Sequence, residues 1–261
     1  MPTLRALFAV ALAAALALPA GAALSQSKPI PIKKIALIDC PEPAEYAAVT
    51  GTGGAMALVG GLVGGVVSAI ITAENSEKIT AAMTADPPNL GARITDAIEA
   101  QLREAGYEVV RVTAAREKAD KLLKDYSGLA VDADAFLDVI IKFVGYVRAG
   151  LAVDYAPGVR IGLRLVGPDK RTEIADDGFG YEQGRNFRSG YAFGSDYKFG
   201  DMDSLRAQLP RAKEGLLAST GPLAADVVGK VNDTRDGKVT SSAAMSDDPT
   251  ARKGPEADST R

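Results

Sequence analysis

The sequence predicts an α+β fold: a single mixed or antiparallel sheet with helices on one face, plus an inserted glycine-rich apolar helix. Three observations predict it. Residues 135–147 and 159–165 alternate apolar and polar positions with the period of two of a half-buried strand. Residues 90–105 repeat their apolar positions every three or four, the period of an amphipathic helix. Residues 58–73 read as one tetrad four times, two bulky apolar residues and then two small ones. A strand would divide each tetrad between its two faces. A helix, in which i and i+4 share a face, gathers Leu, Val and Ile on one stripe and Gly, Ser, Ala and Thr on another.

Taken in order, the chain opens with Arg5, an apolar run over 6–18, Pro19 and the small residues Ala20-Gly21-Ala22. That is the order of a secretory signal peptide, assigned to residues 1–22. The run is shorter than the ~20 residues of a spanning helix. A periplasmic domain is expected over 23–231. Residues 32–38 read as a strand, closed by the turn Cys40-Pro41-Glu42-Pro43. Residues 46–52 form an uncharged lead into the glycine-rich helix, placed at 55–73. Asp86-Pro87-Pro88 interrupts the chain. The helix over 90–105 carries Leu90, Ile94, Ile98 and Leu102 on one face, and Gly106 is its C-terminal stop. A strand over 107–112 and a polar helix over 114–126 follow.

Within 135–147, Leu137, Val139, Ile141, Phe143 and Val147 are expected inward, and Asp138, Lys142 and Tyr146 outward. Residues 159–165 repeat the alternation. Gly167-Pro168-Asp169 turns the chain, and 172–181 return as the partner strand. Residues 203–231 are mainly helical, with Pro210 and Gly221-Pro222 marking kinks or breaks. Residues 232–261 are polar and lack apolar periodicity, the signature of a disordered tail.

Composition excludes several chemistries. With 24% charged residues and a net charge of −3, nothing suggests nucleic acid as a partner. The absence of His removes a His-based zinc site and a Ser–His–Asp triad. Cys40 is the single cysteine, so no internal disulfide forms. It reads either as a small buried apolar residue or as the donor of an intermolecular disulfide. Asp132, Asp134 and Asp138 lie close in sequence, but the calcium-loop spacing counted from Asp132 places Leu137 where Gly is needed and Phe143 where Glu is needed. No metal and no cofactor are expected, and no enzyme.

The opening strand KKIALI, the helix ending in EAGYEVV, the strand AFLDVIIKF and the hairpin GVRIGLRLVGPDKRTEIADD resemble the periplasmic domain of CsgG-like, LpoB-type and TolB amino-terminal proteins. The matching positions are Asp134-Ala135, Leu163-Arg164-Leu165-Val166 and Gly167. The resemblance implies a non-enzymatic role in envelope assembly, with no catalytic residues to carry over. Members are often lipoproteins, whereas no Cys stands at the cleavage point here. The glycine-rich helix is an addition.

Two stretches are candidates for function. In the glycine-rich helix, Gly60, Gly61, Gly64, Gly65, Ser68 and Ala69 line the small face, which suits close helix–helix approach. The helix could pack against a copy of itself or an envelope partner, contact or cross the membrane, or pack on its own domain. A single crossing would separate the first strand from the others. The working expectation is self-association, aided by peripheral membrane contact. The second stretch holds Phe179, Tyr181, Arg185, Phe187, Arg188, Tyr191, Phe193, Tyr197 and Phe199. Aromatic rings beside arginines bind glycans, peptides or protein partners, or they strap a long loop over the sheet.

Overall fold

The computed structural model describes residues 30–51, 70–71, 73–149, 154–182, 185–186 and 197–238. Residues 1–29, 52–69, 72, 150–153, 183–184, 187–196 and 239–261 lie outside them. Eight strands form one mixed sheet: β1 (Lys34–Ile38), β2 (Ala47–Gly51), β3 (Ile70–Ile71), β4 (Glu108–Val112), β5 (Ala135–Ala149), β6 (Ala156–Val166), β7 (Glu173–Glu182) and β8 (Arg185–Asn186). The helices are α1 (Ala73–Ala85), α2 (Leu90–Glu104), α3 (Met202–Ala207), α4 (Leu209–Leu217) and α5 (Thr220–Arg235).

The sheet is organised around β5. One edge of β5 runs antiparallel to β6 along almost its whole length, and β6 continues to β7 and β8. The other edge is shared. β1 pairs in parallel with residues 135–138, and β2 pairs in parallel with residues 145–149. β4 lies outside β1, and β3 outside β2.

All the helices that join the main core do so on one face of this sheet. Ile79 and Met83 of α1, Leu90, Ile94, Ile98 and Leu102 of α2, Leu216 of α4 and Leu223, Val227 and Val231 of α5 are fully buried there. They meet Ile35, Leu37, Leu137, Val139, Ile161, Leu163 and Leu165 from the strands. The α2 stripe is the predicted one, and its end is the predicted one. Gly106 sits at φ +90°, and Tyr107 N–H bonds back to the Leu102 carbonyl at 3.0 Å, closing the last turn through a conformation that glycine adopts without penalty.

The second face of the sheet is covered differently. Residues 113–134 contain no helix or strand, contrary to the expected helix over 114–126. Leu123, Tyr126 and Ala133 from this segment pack on Ala36, Ile38, Phe136 and Val166. The Leu123 N–H donates to the Asp138 carboxylate at 2.8 Å instead of to a helical carbonyl. Tertiary bonding outweighs local helix propensity here.

Three further expectations are corrected. Residues 47–51 of the supposed lead-in are strand β2. The register of β5 shifts between Ile141 and Phe143, so Lys142 is an extra residue and the alternation reverses after it. Val144 and Tyr146 therefore enter the helix-side core, while Phe143 does not. Helix α5 runs to Arg235 rather than ending at 231, because Asn232 accepts a hydrogen bond from Tyr107 Oη at 2.7 Å and Thr234 is buried. The expected breaks are present: α3 ends at Ala207 ahead of Pro210, and α4 ends at Leu217 ahead of Gly221-Pro222, which falls in the first turn of α5, where a missing N–H costs nothing.

Candidate functional site

The glycine-rich stretch enters and leaves at the sheet edge. β2 and β3 pair antiparallel, Val49 opposite Ile71 and Thr50 opposite Ile70. The predicted helix therefore does not extend to Ala73: Ile70 and Ile71 are extended, and a different helix, α1, begins at Ala73. The backbone of β2 accounts for this, since its edge takes two further residues of ladder at that point. Gly60, Gly61, Gly64, Gly65, Ser68 and Ala69 lie outside the described residues. No helix among the described residues is long and apolar enough to cross a membrane.

Helix α1 then continues what β3 began. The Ala48 N–H donates to Ser76 Oγ at 3.0 Å and the Tyr46 N–H to Thr80 Oγ1 at 2.9 Å, and Thr80 Oγ1 donates back to the Tyr46 carbonyl at 3.2 Å. Four residues of helix rise about 6 Å, close to the ~6.7 Å of two residues of strand. Hydroxyls at i and i+4 therefore meet the alternate amides of Tyr46 and Ala48, where the chain enters β2, and the helix closes a strand edge that would otherwise be open.

The aromatic loop is anchored at both ends. Phe179, Tyr181 and Phe199 are 4%, 1% and 2% exposed and belong to the main core. Phe199 exchanges backbone hydrogen bonds with Tyr155 at 2.7 and 3.0 Å. Its ring meets Tyr146 edge to face at 5.5 Å, beneath the Arg211 guanidinium. Tyr146 Oη donates to the Ala212 carbonyl, and burial pushes its ionisation far up. Tyr197 is half-buried against Gly215 of α4. As candidates for a binding face, Phe179, Tyr181 and Phe199 are thus corrected: a ring inside the core has no face left for a ligand. Arg185 pairs through its backbone with Glu182. Phe187, Arg188, Tyr191 and Phe193 lie outside the described residues.

The three aspartates do not converge. Asp132 is exposed. Asp134 accepts the Lys33 and Lys34 backbone N–H groups, both at 2.8 Å, and these bonds hold its carboxyl below the usual range. Asp138 is fully buried. It accepts from Arg116 Nη2 at 2.6 Å, from the Leu123 N–H, and from Tyr126 Oη at 3.0 Å. Burial first, and the Asp138 charge second, drive the Tyr126 ionisation upward. Asp138 thus fastens residues 113–134 to the sheet.

Beside this staple the sheet has a cleft that sequence reasoning missed. Pairing of β5 with β1 stops at Asp138 and pairing with β2 starts at Gly145, so residues 139–144 have no ladder partner on that edge among the described residues. Residues 39–46 leave the ladder there, the Cys40 N–H bonding to Thr95 Oγ1 of α2 at 3.0 Å while the Cys40 sulfur meets the Ile141 backbone of β5 in a hydrogen bond. Cys40 is 6% exposed, and burial pushes its thiol up to about 12, which matches the buried apolar reading and not a surface disulfide. Tyr46 is likewise pushed up to about 12 by burial and then by Glu42. The cleft left over has a volume of about 610 Å³, within the ~300–1,000 Å³ of ligand sites. Its lining includes Pro43, Glu45, Ser76, Lys118, Asp120, Lys142 and Phe143. The one signal in the sequence is the Cys40-Pro41-Glu42-Pro43 turn, which cannot continue a ladder.

No family model matches the chain, and no curated protein matches it. The resemblance to CsgG-like, LpoB-type and TolB amino-terminal domains therefore rests on strand and turn text alone. Solved structures with low similarity include a Xanthomonas campestris protein of the DUF330 family, at 10% identity and a TM-score of 0.35 over 78% of this chain and 90% of that one. A hypothetical protein of Chlamydia trachomatis matches at 12% identity and a TM-score of 0.34, over 78% of this chain and 98% of its own. Lipoprotein GNA1162 of Neisseria meningitidis matches at 16% identity and a TM-score of 0.25, over 77% and 99%.

Proposed function

We propose that this chain is a non-enzymatic protein of the bacterial cell envelope, exported to the periplasm, that associates through its glycine-rich insertion with a second copy of itself or an envelope partner. The observation that carries this reading is the antiparallel pairing of β2 with β3. It returns the chain to the sheet edge on both sides of residues 52–69, so the described core closes from residues before and after the insertion. Those intervening residues carry no charge, and from Leu58 onward they repeat bulky and small positions with a period of four. A stripe of small residues lets a second backbone approach closely. The signal-peptide order of residues 1–22 supports export.

The test replaces Gly61 and Gly65 with Leu and measures mass by light scattering. The expected outcome is an oligomer for the native protein and a shift toward monomer for the variant. An unchanged mass sinks the reading.

A further inference from the structure

We propose that the second face of the sheet, where β2, β5 and β6 lie side by side, is the docking site for this chain's own residues 52–69, which seat their bulky positions Leu58, Val59, Leu62, Val63, Val66 and Val67 on it. The docking does not rest on self-association, and it leaves the small positions to a partner.

Three observations converge on this occupant. The first is burial. Val49, Val147 and Ala156 stand next to one another across β2, β5 and β6, on the face opposite Tyr46, Ala48 and Tyr146. They are 3%, 0% and 3% exposed, yet among the described residues they join neither the helix-side core nor the cluster around Phe136. Residues 113–134 cover the other end of this face, over Ala36, Ile38 and Phe136. A sheet face buried this deeply needs a further layer against it.

The second is the floor. Gly158 of β6 and Gly180 of β7 lie on the same face, and both are buried. Glycine inside a strand marks the close approach of another backbone. Bulky aliphatic side chains set on such a floor leave water on both sides of the contact.

The third is connection. Residues 52–69 leave at Gly51 and return at Ile70, and Ile71 stands opposite Val49, at the end of the buried row. About nine residues separate the middle of the segment from either end. They reach ~13 Å coiled and ~30 Å extended, and β6 lies only ~10 Å from β2. The segment carries no charge, so nothing in it resists burial. Other stretches fit this face less well. Residues 150–153 are too few to cross three strands. Residues 187–196 lead to Tyr197, which lies against Gly215 of α4 on the helix face. Residues 1–29 and 239–261 join the chain near the starts of β1 and β4, beside Ala135 and far along β5 from Val147.

The test uses NMR of the full chain labelled at its Ile, Leu and Val methyl groups. The expected result is nuclear Overhauser contacts from the Val49 and Val147 methyls to methyls within residues 58–67. Diluting the labelled chain with unlabelled chain should leave these contacts unchanged per labelled molecule, since both partners belong to one chain. The variants L62D and V66D are expected to abolish the contacts and to speed amide exchange over residues 145–149 severalfold, while α2 keeps its protection. Replacing Gly61 and Gly65 with Leu should preserve the contacts whether or not the mass changes, so a native monomer counts against association alone. Three outcomes would overturn the docking: no contacts, contacts to another segment, or contacts that fade on dilution and so place a second copy on this face.

Discussion

The two faces of this sheet are covered by opposite means. On the helix face, α2 alone contributes Leu90, Ile94, Ile98 and Leu102, all fully buried, and α5 adds Leu223, Val227 and Val231. The attachment is spread over many apolar contacts, each small. On the other face, residues 113–134 bring only a few apolar groups, and one fully buried carboxylate, Asp138, holds Arg116, Leu123 and Tyr126. A cover with a periodic apolar stripe is placed by its own pattern. A cover without one is placed by a few polar bonds, and its stability is concentrated in them.

Removing the staple is the severest way to break this comparison. Asp138→Ala leaves the Arg116 guanidinium, 6% exposed, without its carboxylate, and is expected to destabilise the fold by about 3–5 kcal/mol. Urea unfolding measures the loss. Hydrogen exchange should then speed up chiefly within residues 113–134 while the amides of α2 keep their relative protection. Ile98→Ala, the control on the helix face, should cost about 2–5 kcal/mol and raise exchange across the whole core. Equal exchange patterns for the two variants would erase the distinction between the faces.

A smaller effect is expected where α1 stands in for a strand. Thr80→Val keeps the shape but leaves the Tyr46 N–H without its acceptor, at a cost of about 1–3 kcal/mol. Ser76→Ala should cost less, since Ser76 makes one of these bonds and Thr80 two. Thermal melts of the two variants rank them, and a reversed order would mean that the hydroxyls do not extend the ladder.

The smallest effect concerns Cys40, which ties the segment over 39–46 to Thr95 of α2 and to the Ile141 backbone of β5. Burial pushes the Cys40 thiol from the ordinary 9.0 up to about 12 in the folded chain. Between those values the unfolded chain has lost a proton that the folded chain retains, so stability is intact below pH 9 and falls as pH rises toward 12. At pH 8 the native thiol is expected to resist iodoacetamide and to react at once in urea. Rapid labelling of the native protein would show that the segment over 39–46 opens far more often than its packing implies.

The helix face was the legible one. Leu90 to Leu102 at intervals of four, with Gly106 beyond them, announce α2 and its end because the helical period and the left-handed stop are local properties. The strand text of β1, β5, β6 and β7 was legible for the same reason. Along β5 the reading held as far as Ile141 and then slipped by one residue. A bulge at Lys142 leaves no mark in a period of two, yet it exchanges the faces of Phe143 and Tyr146. The aromatic loop shows the other limit. Composition alone cannot tell a ring that stacks a ligand from one that fills a core, and Phe179, Tyr181 and Phe199 fill the core.

By itself the sequence determined the class of fold, the order of most elements and the apolar faces that meet, because these follow from periodicity and local chain stereochemistry. Only the tertiary structure decided that residues 113–134 forgo a helix to bond with Asp138, that Ser76 and Thr80 complete a strand edge, and that β1 and β2 share one side of β5 with a cleft between them. Each of those outcomes depends on which backbone groups lie within about 3 Å of one another across the fold, a relation between distant residues that no local pattern encodes.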